Sequence, residues 1–460
     1  LDIWDSSLIK PFDASELDER ARAWIRDKGQ ELLDLIESVK PEPSPKQPFK
    51  SQRQSKATIT SDDIVGEIVS SYTDWSGKVI GRSFFKGGIE FRIYGDGYLR
   101  FREISEAIGS KNPFRHKISQ EFCDKAIFLW CTKRLKEGDL SHLDELLIDE
   151  AEKAVQDFTI YCPLFGIEVE SDLILGDIVL AIIPESVFRP TADDASPDMI
   201  AGLAEMSKSY ANLTAVQFSC NTESGLAEEL VFEAAELVCS ILRFISPASV
   251  SHNVAYPCAP LGSEQIAKGT TIYVKDSRVS LLSNGLRNRG LFNWKLSHAE
   301  IHNLMNRPMG NAFAFLENRK LNEFQGCLKR ALLSYSRGVG QFDLHERLVA
   351  AVGALETLFL PNGSDGTLST VGERLAFFVS DRPDERKSIV KNYSYIYKIR
   401  SKYLHHNVSV KDEIEMEKFF RYVWRAFYLL LARFGKYHSH RDFIDDVDST
   451  KFGVALENGK

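Results

Sequence analysis

Residues 411–435, KDEIEMEKFFRYVWRAFYLLLARFG, carry Met416, Phe419, Phe420, Val423, Phe427, Leu430, Leu431 and Phe434 at steps of three and four. That spacing gathers them on one broad apolar face of a helix, the kind of face that fills a helical-bundle core. Arg425 interrupts the run, so it does not read as a membrane span, and no other stretch does. Toward the amino end, helical periods recur over about 384–404, 369–380, 344–360 and 312–336, separated by breakers such as Pro361-Asn362-Gly363 and Arg382-Pro383. The pattern stops at Ser297. Residues 298–445 are therefore predicted to form an all-α bundle, with 446–460 as a tail.

Upstream the texture mixes strands and helices, and residues 57–297 read as a β-rich α+β module of sensor or regulatory type. The run KVIGRSFF-KGG-IEFRIY-GDG-YLRFREI (78–104) resembles a β-meander whose glycines sit where hairpins need positive φ. GDG at 95–97 also invites comparison with an ion or phosphate loop. Without a predicted helix after it, or a lysine, it reads as a hairpin. Helices are expected at 118–136, 139–156 and 226–245, and strands in TIYCPLFGIEV, DLILGDIVLAIIP and TAVQFSC. Residues 14–38 form an amphipathic helix that needs a partner surface, and 40–56, rich in proline and basic residues, form a linker, so 1–56 is a helix plus linker. The predicted fold class is α+β: a β-rich α+β module followed by an all-α C-terminal bundle.

Composition narrows function. The 460 residues hold 57 Lys and Arg against 65 Asp and Glu, a net charge of -8, so any polyanion needs a local basic patch. The seven cysteines are scattered without a CxxC pair, which argues against a disulfide framework or zinc ribbon and favours a reducing compartment. No signal peptide is read at LDIWDSSLIK, and cytoplasmic localisation is expected. P-loop, HExxH, GxSxG and strand-borne GxGxxG signatures are missing, and no cofactor or metal is predicted. His438-Ser-His440-Arg-Asp442 is read as a solvent-facing tail rather than a metal site.

One constellation stands out: Tyr397-Lys-Ile-Arg400-Ser401-Lys-Tyr-Leu-His405-His406. Arg400 shares a helical face with Ile389, Tyr393, Ile396 and Tyr397, which points its guanidinium toward the bundle or a partner. His405 would lie about 140° around an unbroken helix from Arg400, so convergence needs the helix to end or bend near Leu404. Lys391, Lys398 and Lys402, with Arg386, Lys387 and Lys411, supply a local basic surface for RNA phosphates. A second pair of the same spacing, Arg433 and His438, spans a helix-ending glycine.

The Arg400–His405 pair resembles the R-x4-6-H signature of HEPN ribonucleases. Arg347-Leu-Val-Ala-Ala-Val-Gly-Ala-Leu355-Glu356-Thr-Leu358-Phe359 resembles the opening HEPN helix of ApeA-like anti-phage proteins, and Gly372-Glu373-Arg374-Leu-Ala-Phe-Phe resembles its second helix. The resemblance covers about 310–440. Ser401 stands where many HEPN motifs have Asn, Asp or His, as in the ApeA-like branch; His406 replaces a glycine frequent there, so either His405 or His406 is the working imidazole, with His405 favoured. The resemblance implies a homodimer whose groove between two bundles takes Arg400 and His405 from both subunits.

These residue types suit metal-independent RNA cleavage. Histidine titrates near neutrality and serves as general acid or base, while arginine grips a nonbridging phosphate oxygen in a fork. Glu356 orients Arg400 or His405, forms a structural ion pair with Arg374, or is simply exposed. The leading expectation is an HEPN endoribonuclease acting in phage defence, with the front module sensing a phage-derived trigger. The rival is a noncatalytic RNA- or ligand-binding dimer; a metal-dependent hydrolase using the tail is a weaker third.

Overall fold

The computed structural model describes residues 6–39, 69–138, 141–175, 178–190, 196–263, 268–275, 278–286, 290–317, 320–361, 367–406 and 412–451. The linker expected at 40–56 lies outside them, as does Lys411. The chain is α+β, strand-rich before Ser297 and helical beyond it. It divides into two compact units, Leu1–Thr159 with Ser219–Leu230, and Ile160–Phe218 with Val231–Lys460.

In the first unit α1 (Glu19–Asp34) leads into a four-stranded antiparallel sheet of β1 (Glu37–Val39), β2 (Val69–Thr73), β3 (Val79–Lys86) and β4 (Ile89–Tyr94), in the order β1-β4-β3-β2. Helices α2 (Asp96–Gly109), α3 (Gln120–Glu137) and α4 (Leu143–Ala154) follow. Asp18 caps α1 by accepting the Ala21 N–H at 2.7 Å, and the helix buries Ile25, Gly29 and Leu32. The partner surface that α1 requires is thus within this unit, where Arg26 also forks onto the buried Asp144 at 2.8 and 2.9 Å.

The meander reading fails after β4. Tyr98, Phe101, Ile104 and Ile108 are buried on one face of α2, so YLRFREI follows a helical period of three and four and not a strand period of two. Gly95, at φ +61°, makes the turn between β4 and that helix.

Next in the chain come β5 (Gln156–Phe165), β6 (Ile167–Val169), β7 (Leu173–Leu175), β8 (Ile178–Ile182), α5 (Pro197–Tyr210), β9 (Thr214–Thr222) and α6 (Ser224–Ile245), which belong to the second unit except for the start of β5, the end of β9 and the first turns of α6. The short strands β10 (Val254–Ala255) and β11 (Ala259–Pro260) come next, then the hairpin β12 (Lys268–Lys275) and β13 (Arg278–Leu286), and β14 (Gly290–Leu291) and β15 (Trp294–Leu296). The main sheet has the order β11-β5-β9-β8-β7. Helices α7 (His298–Met305), α8 (Glu323–Gly340), α9 (Leu344–Phe359), α10 (Thr367–Val379), α11 (Pro383–His406), α12 (Glu413–Ala432) and α13 (His440–Lys451) complete the unit.

The stripe of α12 does what its spacing requires: Met416 through Leu431 are fully buried, while Phe434, in the turn beyond, is half-buried against Phe315. The unit division does not follow Ser297, since the bundle shares its unit with much of the sheet. Nor does the bundle stop at residue 445, because α13 continues to Lys451 and buries Val447. No helix among the described residues is long and apolar enough to cross a membrane.

Candidate functional site

The site grows from two neighbouring helices, α9 and α11. Asp343 caps α9 by accepting the His345 N–H at 2.7 Å, and Pro383 opens α11 with Asp384 and Glu385 in its first turn, favourable charges at a helix start. Near the end of α11, Tyr403 stacks on His345 at 4.8 Å and donates its hydroxyl to Glu346 at 2.8 Å, both at the start of α9. Further back along α11, Tyr393 feels the charge of Glu356 near the end of α9. The two helices therefore run antiparallel. Gly372 of α10 permits close approach: a Cβ there would meet Tyr393 Cδ1 at 3.0 Å.

Arg400 is half-buried on the α9 side, with its guanidinium 5.5 Å from the Tyr397 ring centroid. Its Nε is buried without a hydrogen-bond partner, and among the described residues no carboxylate pairs with it. Burial pushes the Glu356 carboxyl up from its ordinary range, and the Arg400 charge partly opposes that rise. Tyr393 is fully buried, its hydroxyl unpartnered; burial, then Glu356 and Tyr397, push its pKa up while Arg400 lowers it. Glu356, Tyr393, Tyr397 and Arg400 thus form one coupled cluster. Sequence reasoning put the two tyrosines on the right face but gave them no role.

The histidines go elsewhere. Helix α11 does not end at Leu404 but continues through His406, and both His405 and His406 are exposed, their rings 6.4 Å apart. The expected bend is therefore absent, because helical hydrogen bonding carries through the last turn. At 100° per residue, Lys391, Lys398, Lys402 and His405 fall within an arc of about 60°, and Arg400 lies roughly opposite Lys391. The three lysines are exposed and Ser401 is half-buried. One chain therefore brings Arg400 to Glu356 and leaves His405 on a separate basic stripe.

Arg374 does not pair with Glu356. Its Nε and Nη2 donate to Asp448 at 2.9 and 2.7 Å, and Nη1 donates to the Phe359 carbonyl at 2.7 Å, which ties α10 to α13 and to the end of α9. The ion-pair alternative is corrected on that ground. Arg433, of the second motif match, lies 5.4 Å from the Phe378 ring centroid. In the tail, a ring nitrogen of His440 lies 2.7 Å from the Leu358 carbonyl oxygen, so this histidine packs on α9 instead of standing in water. No group of three or more potential metal ligands forms among the described residues.

Among the described residues of the bundle, Arg347 is the fully buried arginine. Nη2 donates to the Ala248 and Ser249 carbonyls at 2.8 and 2.6 Å, Nη1 donates to those of Ser251 and Val254, and Phe420 lies under the guanidinium at 4.5 Å. No protein-family model, curated protein or solved structure matches this chain.

Proposed function

We propose that the C-terminal bundle is a cytoplasmic, metal-independent endoribonuclease of the HEPN type, acting as a homodimer. The observation that carries the reading is the Arg400 guanidinium: half-buried, in no ion pair among the described residues, and within the field of Glu356 and Tyr393. A guanidinium left in that condition is suited to a phosphate oxygen, which it grips through two parallel N–H donors. On the opposite side of α11, Lys391, Lys398 and Lys402 give RNA a track that leads to His405.

His405 is the general base or acid and Arg400 the charge stabiliser. The 2'-hydroxyl loses its proton and its oxygen bonds to phosphorus, the bond from phosphorus to the 5'-oxygen breaks, and that oxygen takes up a proton. A 2',3'-cyclic phosphate and a 5'-hydroxyl result. Because one chain separates Arg400 from His405 around its own helix, a complete site takes the two groups from different subunits. By analogy with ApeA-like proteins, the front module recognises a phage-derived trigger.

The test uses purified full-length protein with RNA in EDTA. Arg400→Ala and His405→Ala should each lower formation of cyclic-phosphate ends by about a hundredfold or more while leaving dimerisation intact. Undiminished cleavage by both variants overturns the proposal. A second reading, noncatalytic RNA binding, draws on the placement of His405 among lysines and away from Arg400; it predicts salt-sensitive binding without cyclic-phosphate products.

A further inference from the structure

The GDG turn set aside as a hairpin is followed by a helix after all. Helix α2 starts without a side-chain cap: Gly95 stands at the N-cap in left-handed backbone and offers no acceptor to the first N–H groups. Those N–H groups and the helix dipole favour an anion. A crevice of about 690 Å³ lies against this turn, walled by β3, β4 and the chain around Asp74–Lys78. Arg82 lines the same crevice and is only 7% exposed. Its Nε has no hydrogen-bond partner, and among the described residues no carboxylate pairs with it; the Tyr98 hydroxyl is its polar neighbour.

The acidic residues of the wall are mostly engaged. Asp124 takes Arg102, Ser105 at 2.5 Å and Gln120 at 2.8 Å, and Glu121 pairs with Lys125 at 3.2 Å. Asp74 accepts the Ser76 N–H at 2.8 Å and the Lys78 N–H at 3.1 Å. Asp96, exposed at the first position of α2, has no such partner among the described residues. The rest of the wall is largely apolar, with Val79, Ile80, Tyr94 and Leu99. A buried cation without a counter-ion is expensive unless an anion visits it.

We propose that this crevice binds a small phosphate monoester, its phosphate held between the first turn of α2 and Arg82, with Lys78 at the rim and its less polar portion against Tyr94 and Leu99. The proposal stands independently of the ribonuclease reading, since all of these residues belong to the first unit.

The test is calorimetric titration of the full chain with AMP, with inorganic phosphate and with adenosine. AMP should bind, phosphate should bind more weakly, and adenosine should give no heat. Arg82→Gln should weaken AMP by about tenfold or more, and Lys78→Glu should weaken it as well. Asp96→Asn, which removes a like charge beside the phosphate, should tighten it. If Arg82→Gln fails to fold, the two exposed positions decide, because a folding defect does not produce tighter binding. Absence of binding by both AMP and phosphate overturns the proposal, as does AMP binding indifferent to Lys78→Glu and Asp96→Asn.

Discussion

Arg347 and Arg400 sit on antiparallel neighbouring helices of one bundle and occupy opposite conditions. Arg347 is fully buried, and its two terminal nitrogens are taken by four backbone carbonyls of the 248–254 segment. Arg400 is half-buried, and among the described residues it has only an aromatic ring and the field of Glu356. The comparison separates two uses of one side chain. The Nε of each is buried without a partner, so the difference lies in the terminal nitrogens: where carbonyls take them the guanidinium fixes a loop on a helix, and where nothing in the described fold takes them they are kept for something outside it.

The largest effect should come from Arg347. Arg347→Ala removes the guanidinium donors from four carbonyls, of which that of Ala248 keeps the Ser251 N–H and that of Ser249 keeps the Tyr335 hydroxyl, and it empties a volume above Phe420, so we expect a loss of about 3–5 kcal/mol in urea unfolding. A shift below about 1 kcal/mol would erase the distinction. Arg400→Ala, by contrast, should leave stability within about 1 kcal/mol of the parent while cleavage collapses. Equal destabilisation by both variants would make Arg400 a second structural clamp.

The bundle was legible because its signal is simple. A stripe such as Met416 to Leu431 has one period and one solution, and burial follows from it. YLRFREI was misread because tyrosine, phenylalanine and isoleucine have high strand propensity, and two residue pairs flanking a glycine turn resemble a hairpin; the burial face that decides for helix is a tertiary property. Arg400 and Glu356 were found because both interrupt apolar faces. Arg347 also interrupts such a face, yet its role was not legible, since its acceptors are backbone atoms about a hundred residues away that carry no sequence signal. The continuation of α11 through His406 was likewise hidden, because two histidines and an asparagine suit a helix end as readily as its last turn.

A smaller effect tests the other side of α11. If Lys391, Lys398 and Lys402 follow an RNA backbone, replacing any one with alanine should reduce the slope of log affinity against log salt by about 0.7 for single-stranded RNA, and should weaken all sequences alike. Filter binding across a salt series reads this directly. An unchanged slope in the triple variant would remove RNA from that face, leaving Arg400 as an isolated feature of the bundle interior.

The smallest effect probes the link between Arg400 and Glu356. Burial raises the folded-state pKa of Glu356 above its ordinary value of 4.5, so the folded chain holds this proton more tightly than the unfolded chain does. Its contribution to stability is therefore full below 4.5 and is lost as pH climbs through the raised folded value. Glu356→Gln has no proton to lose, so its urea midpoint should fall less than the parent's over that interval. Arg400→Ala removes the charge that opposes the rise, and its midpoint should fall further than the parent's. Superimposable pH profiles for the parent and both variants would mean that the two groups do not sense each other. A steeper fall in Arg400→Ala alone, abolished by adding Glu356→Gln, would show that the guanidinium's field is exerted on Glu356; a fall of about one pKa unit's worth or less would fit a field across the cluster, and a much larger one would mean an ion pair that leaves the guanidinium less able to grip a phosphate.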